Sequence, residues 1–260
     1  MARIYPLFSS SKGNATFIGS QKGGILIDAG VSCKRLCTAL DNNDISPDAV
    51  RGIFVTHTHS DHISGLKVFT KKYNIPVFAQ QINLEYLAKR DKVSPQSHLE
   101  QVDTQDILIG DYRVHSFTTP HDTPASCGYR INTPDDKTVV ICTDLGEVTT
   151  VVEQNLMGAD VVLLESNYDK NMLKNGSYPY DLKKRIASKF GHLSNNDCGE
   201  QLIRLLKNGT DKFILGHLSQ ENNTPQMADN SAVSSLAEFQ RNKDYFLMVA
   251  RPDDGRAVAF

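Results

Sequence analysis

The 260-residue sequence predicts an α/β protein built as an αββα four-layer sandwich, a single domain spanning residues 1–260. Three observations lead there. The chain opens on three short strands separated by glycine-containing turns, an antiparallel start that a strand–glycine loop–helix nucleotide fold lacks. Later strands come in two sets with helices outside them, the pattern of two packed sheets flanked by helices. The length suits one large domain with a sizeable core, and no repeat, low-complexity tract or linker divides it.

Residues 3–8, 15–20 and 24–28 read as the opening strands, with turns at Ser11–Asn14 and Lys22–Gly24. A helix follows over 32–42, where Ser32 is a fitting N-cap and Leu36 and Leu40 share a face. Residues 52–56 form a short apolar strand, 63–73 a helix, 76–79 a strand and 81–90 a helix. Segments 106–109, 111–118, 126–132 and 137–143 read as successive strands, then a helix over 148–157 and the apolar strand 160–165. Residues 166–177 are the longest irregular stretch and the expected mobile rim. Helices at 178–190, 195–207 and 225–242 and strands at 213–215 and 245–249 follow, and 256–260 closes an edge.

Composition narrows the function classes. Hydrophobic residues make up 40% and charged residues 22%, ordinary for a soluble globular chain. No run of about 18 apolar residues predicts a membrane span, so no membrane partner is expected. Met1–Phe8 lacks the apolar core and small-residue cleavage site of an export signal, which makes the expectation cytoplasmic. The five cysteines, at 33, 37, 127, 142 and 198, include no C-x-x-C pair and read as free thiols. Net charge is −2. A protein that gripped nucleic acid by bulk charge would be basic, yet bound cations can supply positive potential locally.

The chemistry is concentrated in Thr56-His57-Thr58-His59-Ser60-Asp61-His62, directly after the strand 52–56. Three imidazoles and one carboxylate within six residues are the donor types that converge on divalent metal. His57 and His59 share the strand's period of two, and Asp61 and His62 sit at the turn into a helix, where they can face a second ion.

This string resembles the H-x-H-x-D-H motif of the metallo-β-lactamase superfamily. That resemblance implies three further ligands at later strand ends, and His121, Asp144 and His217 stand in matching contexts. It implies that His57, His59 and His121 hold one ion, that Asp61, His62 and His217 hold the other, and that Asp144 bridges. The chemistry implied is hydrolysis by water ionised between two divalent metal ions, with Asp61 also aiming that water. Nitrogen-rich ligation suits Zn²⁺, and two carboxylates keep Mn²⁺ or Fe²⁺ open. Asp28, ending the apolar run Gly24–Asp28, matches the family residue that accepts the other N–H of a ligand histidine.

Two local features bear on the substrate. Ser194 and Asn195 open the helix 195–207 beside His192, and a helix start with a protonatable imidazole suits a phosphate; His192 there neutralises a phosphoryl oxygen or protonates a leaving alkoxide. The loop Ser9–Asn14 offers Ser10, Ser11 and Asn14 to the same kind of ligand.

Both stretches resemble the bacterial branch of the superfamily called YycJ, WalJ or VicX. Its motifs are matched by Ser10–Asn14, Thr56–His62, Thr143–Gly146, Glu165–Asp169 and Gly191–Asn195. The implied activity is a metal-dependent phosphodiesterase, a 5′-to-3′ DNA exonuclease with nucleic acid as partner and Mn²⁺ as an activating metal. The alternative is a small-molecule metallohydrolase acting on a thioester, lactone or cyclic phosphodiester. Only 72 residues separate Asp144 from His217, too few for the extra domain of the RNA-processing β-CASP relatives. His98 and His115 read as structural or surface groups and Asp122 equally as a solvent-exposed turn residue; Glu165 and Asp169 either rim the cleft or belong to loop polarity, and Lys12, Lys170 and Lys174 read as solvated loop lysines ahead of nucleic-acid contacts.

Overall fold

Apolar runs that alternate between two buried faces make the centre of the molecule. In the computed structural model, which describes residues 2–253 and 255–260, one sheet begins with β1 (Arg3–Ser10), β2 (Gly13–Ser20) and β3 (Gly23–Ile27). It continues through β4 (Val50–Phe54), β5 (Val77–Ala79) and β6 (Leu99–Gln101). The other contains β7 (Ile107–Ile109), β8 (Tyr112–Thr118), β9 (Cys127–Asn132), β10 (Thr138–Cys142), β11 (Val161–Glu165), β12 (Lys212–Gly216) and β13 (Phe246–Val249). The last strand, β14 (Val258–Ala259), returns to pair with β1 and close the first sheet's edge.

Strand order is β14-β1-β2-β3-β4-β5-β6 in one sheet and β13-β12-β11-β10-β9-β8-β7 in the other. Each sheet is half antiparallel and half parallel: β3 to β6 run parallel in the first and β10 to β13 in the second. Parallel strands need crossover connections, and those crossovers supply the outer helices. They are α1 (Cys33–Asp41), α2 (Ser60–Ile63), α3 (Leu66–Tyr73) and α4 (Gln81–Lys89) on one side. On the other are α5 (Thr150–Leu156), α6 (Lys170–Asn175), α7 (Tyr180–Ile186), α8 (Asn195–Lys207) and α9 (Pro225–Ser235).

Three buried clusters separate the four layers. Leu36, Leu66, Phe69 and Leu87 pack on Leu26, Ile53 and Val77 of the first sheet. Ile25, Ile27 and Phe54 meet Tyr129, Ile141 and Leu163 between the sheets. Val140, Val162, Leu164 and Leu215 carry Val152, Leu202 and Ala232 of the opposite helices. Neighbours along one strand serve different clusters, as a side-chain period of two requires.

Several boundaries differ from the sequence reading. The helix expected over 63–73 is two helices, because Gly65 packs its backbone on Ala29 and Val31; a Cβ there would lie 1.9 Å from the Val31 carbonyl oxygen. The strand read as 52–56 spans 50–54, so His57 lies in a loop three residues past it. The helix read over 178–190 ends at Ile186, where Gly191 folds back against the Arg185 and Ile186 carbonyls. The helix read over 225–242 ends at Ser235. β6 was not foreseen, being three half-buried residues with polar side chains at two of them.

Residues 166–177 also depart from expectation: they hold α6, capped by Asp169. Backbone bonds from Asn167 N to Leu193 O (2.9 Å) and from Asp169 N to Asn222 O (2.9 Å) fasten the segment. Among the described residues no helix is long and apolar enough to cross a membrane.

Candidate active site

The site lies where strands of both sheets end, the usual crevice in parallel-strand folds. Asp28 follows β3, Asp144 follows β10 and His217 follows β12, and each has a positive φ, at 61°, 57° and 54°. Left-handed backbone costs an L-residue about 1–2 kcal/mol, and here it turns each side chain off its strand end into the crevice. The loop after β4 brings in His57 and His59, and the short α2 carries Asp61 and His62. Gly30 permits this approach, since a Cβ there would lie 1.6 Å from the Asp61 carbonyl oxygen.

His57, His59 and His121 form one group, their ligand atoms within 4.8 Å of one another. Hydrogen bonds assign the nitrogens. Thr56 Oγ1 donates to Asp28 Oδ2 at 2.8 Å. Its one proton is thereby committed, so at 3.1 Å it accepts from His57 Nδ1 and leaves His57 Nε2 with a lone pair. His121 Nδ1 lies 3.1 Å from the Gly191 carbonyl, an acceptor only, so its Nε2 is the free atom. His59, half-buried, turns Nδ1 to within 3.4 Å of His121 Nε2. Burial pushes His57 well below the usual imidazole range, with His62 adding to it, and lowers His59 as well.

Asp61, His62 and His217 form the second group. His62 is fully buried; Nδ1 lies 2.7 Å from Asp28 Oδ2, and Nε2 lies 3.2 Å from Asp144 and 3.5 Å from Asp61. Burial alone would lower His62, but the Asp28 and Asp144 carboxylates outweigh it and hold it well above the usual range. Burial would likewise raise Asp61, but the His217 and His62 imidazoles, with Nε2 at 3.7 and 3.5 Å from Oδ2, outweigh it and depress it strongly. Asn14 Nδ2 donates to Asp61 Oδ2 at 3.2 Å. Asp144 stands between the groups, Oδ1 3.7 Å from His121 and 3.5 Å from His217.

Glu165, the last residue of β11, is wholly buried beneath the second group. Its Oε1 lies 2.7 Å from His217 Nδ1 and 2.9 Å from His192 Nδ1. Its Oε2 accepts from the Leu145 and Leu193 backbone N–H groups, both at 3.1 Å. Against burial, which would raise it, the His192 charge and hydrogen bond hold this carboxyl at about 2. In return Glu165 and Asp144 outweigh burial and raise His192, while Asp144, Asp61 and Glu165 raise His217 to about 10.

These residues fit a pair of divalent cations. His57 Nε2, His217 Nε2 and Asp144 Oδ2 are buried without a hydrogen-bond partner, a costly state unless something else satisfies them. Each of His57, His62, His121 and His217 has Nδ1 against an acceptor, which leaves Nε2 as the ligating atom, the usual bracing of metal-bound imidazole.

The sequence profile of the metallo-β-lactamase superfamily matches residues 11–217. The chain belongs to this superfamily. Among curated members, it is 39% identical to exodeoxyribonuclease WalJ of Streptococcus pneumoniae serotype 2 (strain D39 / NCTC 7466), over 89% of this chain and 87% of that protein. It is 33% identical to exodeoxyribonuclease YycJ of Bacillus anthracis, over 89% of this chain and 88% of the relative. The crystal structure of the metallo-β-lactamase fold protein YhfI from Bacillus subtilis superposes with a TM-score of 0.74 at 15% identity, covering 99% of this chain and 98% of the other. The expected superfamily fold and its YycJ/WalJ-like branch both hold.

The seven side chains expected as ligands come together here, and Asp28 Oδ2 lies 2.7 Å from His62 Nδ1. The residues read as phosphate contacts divide. His192 lies at the cluster, its ring 5.3 Å from His121 and 5.4 Å from His217. Asn14 and Ser10 are buried, with Asn14 bonded to Asp61 and to the Ser10 carbonyl, while Ser11 is exposed in the β1–β2 turn. Ser194 is buried and caps α8 through Asp197 N; the Asn195 side chain is taken up by Ser166 and Asn223.

Glu165 was missed. It ends a wholly apolar strand, and a carboxylate in that position must have partners, which is the signal that would have found it. Asp122 was also passed over: it pairs with Arg185 and lies 3.5 Å from His121 Nε2.

Proposed function

We propose that this protein is a metal-dependent exonuclease that hydrolyses DNA phosphodiesters from the 5′ end. The carrying observation is the set of buried, unpartnered ligand atoms beside the Glu165–His192 pair, in a chain 39% identical to an exodeoxyribonuclease over most of its length. His57, His59 and His121 hold one cation, Asp61, His62 and His217 the second, and Asp144 lies between. When bound, such a pair lowers the pKa of water and neutralises charge on a phosphodiester.

The chain's own residues do the rest. Asp61, held ionised by His217 and His62 against its burial and steadied by Asn14, is a carboxylate at neutral pH that accepts a hydrogen bond from the attacking water. His192, whose protonated form Glu165 favours, hands the Nε2 proton to the departing 3′ oxygen. Glu165 fixes that tautomer by occupying Nδ1. Ser10, Ser11 and Asn14 rim the phosphate's approach together with Ser194 and Asn195, the buried ones acting through the loops they hold. The nitrogen-rich donor set suits Zn²⁺, with Mn²⁺ or Fe²⁺ accommodated by the two carboxylates, and the chain works in the cytoplasm.

The test is digestion of end-labelled single-stranded and duplex DNA and RNA with Mn²⁺, against Asp61→Ala. Mononucleotides released from the 5′ end of DNA by the wild type alone are expected. Turnover of a thioester or lactone with every nucleic acid left intact would overturn the reading. His192→Ala is expected to slow cleavage while metal content stays unchanged.

A further inference from the structure

A partner on the second nitrogen fixes the ring orientation of a ligand imidazole, and four of the five in the two groups have one in hydrogen-bond contact. His57 Nδ1 meets the Thr56 hydroxyl, His121 Nδ1 the Gly191 carbonyl, His62 Nδ1 Asp28 and His217 Nδ1 Glu165, at 2.7–3.1 Å. His59 is the fifth. Its Nδ1 faces His121 Nε2 at 3.4 Å, on the ligating side, and its Nε2 turns towards Asp122, with Oδ1 at 4.0 Å.

Asp122 sits in a loop with its side chain 25% exposed, and a carboxylate so placed turns to water unless something holds it. Arg185 Nε donates to its Oδ2, which leaves Oδ1 facing His121 Nε2 at 3.5 Å and His59 Nε2 at 4.0 Å. Arg185 belongs to α7, a helix in which no residue is buried. Lys183, the other α7 side chain with hydrogen bonds, reaches only the Lys174 and Gly176 carbonyls in the chain just before the helix. Among the described residues, Arg185 is therefore the α7 side chain that ties the helix to the site. The turn after α7 also presents the Gly191 carbonyl to His121. One segment thus reaches two of the three imidazoles of the first group, whereas the braces of the second, Asp28 and Glu165, stand at strand ends.

We propose that Asp122 is a positioning residue for His59 and that Arg185 makes its placement depend on α7, so that docking of α7 and cation binding by the first group favour each other. The inference rests on the two-cation reading of the site and does not require the substrate to be DNA. At 4.0 Å the carboxylate acts by charge and not by a hydrogen bond. It attracts the Nε2–H dipole of His59 and favours the ring orientation that keeps Nδ1 towards His121. Coupling of this kind is reciprocal: whatever α7 adds to cation affinity, the cation adds to the docking of α7.

The test titrates the full-length chain, stripped of metal, with Zn²⁺ by calorimetry, and follows trypsin cleavage after Lys183 and Lys184 with and without Zn²⁺. Asp122→Asn is expected to weaken one of two equivalents at least about tenfold. That equivalent is the one His57→Ala abolishes, and the one Glu165→Gln weakens is spared. Asp122→Glu is expected to recover part of the loss. Arg185→Gln is expected to weaken the same equivalent, and to cost nothing further when added to Asp122→Asn, because both act through one contact. Zn²⁺ is expected to slow cleavage of α7 at least about fivefold in the wild type, and much less in Asp122→Asn.

Equal losses in both equivalents, no loss in Asp122→Asn, or cleavage of α7 indifferent to Zn²⁺ in the wild type overturns the inference. If the wild type still takes up two equivalents in that case, the two-cation reading stands alone. Uptake of fewer than two removes that reading and the inference with it. If affinity and cleavage track Asp122 while no DNA is digested, the brace stands and the exonuclease reading falls.

Discussion

The two ligand groups are braced by different chemistry. In the first, His57 leans on the Thr56 hydroxyl and His121 on the Gly191 carbonyl, both neutral. In the second, His62 leans on Asp28 and His217 on Glu165, both buried carboxylates at 2.7 Å. Burial therefore dominates the first group and lowers His57 and His59, whereas the carboxylates dominate the second and raise His62 and His217. Without cations, His57 and His59 therefore favour the neutral form that ligates, whereas His62 and His217 favour the protonated one. Three imidazoles in the first group and two with a carboxylate in the second thus make two sites of unequal pH dependence.

The largest effect expected from breaking this pattern comes from the ligands themselves. Asp61→Ala or His62→Ala should lower phosphodiester turnover by more than the roughly 100-fold that bounds changes one layer out, measured as single-turnover cleavage of labelled DNA. Next come the carboxylate braces. Glu165→Gln and Asp28→Asn should each cost roughly 10–100-fold in metal affinity or activity, read by metal titration and cleavage in parallel. Thr56→Val, which alters the first group's neutral brace, should cost less than either. An equal loss in all three would erase the distinction between the groups.

Proton release sharpens the comparison. Because His62 and His217 sit above their ordinary pKa, they are protonated at pH 7 and must give up protons to ligate. Calorimetric titration of metal-free protein in buffers of differing ionisation enthalpy should show protons leaving mainly with one of two equivalents. Release spread evenly over both would contradict the assigned directions.

The smallest effect concerns acid stability of the metal-free chain. Glu165 has an ordinary value of 4.5 and is held at about 2 in the fold. Its contribution is therefore complete above about pH 4.5 and disappears as pH falls towards 2. Glu165→Gln should flatten the wild type's stability slope across that window in chemical unfolding.

Legibility followed locality. His57, His59, Asp61 and His62 crowd one loop, and so many metal-type donors in six residues announce themselves. His121, Asp144 and His217 are single residues after strands, readable only once the first motif supplied a reason to look for strand ends. Glu165 stayed hidden because its partners, His192 and His217, are 27 and 52 residues away, and the polar run that follows it from Ser166 made it read as the start of a loop. Ser194 and Asn195 were legible as a helix start, but their burial arises from packing against Ser166, Tyr168 and Asn223. The two sheets were readable from the grouping of apolar strands, while β6 offers the core only Leu99 and left no repeating apolar signature.

Anomalous diffraction from crystals grown with a divalent salt tests the central claim most directly. The account predicts two peaks per chain, one bounded by His57, His59 and His121 and the other by Asp61, His62 and His217, with Asp144 between them. A single peak, or none among these side chains, would contradict it.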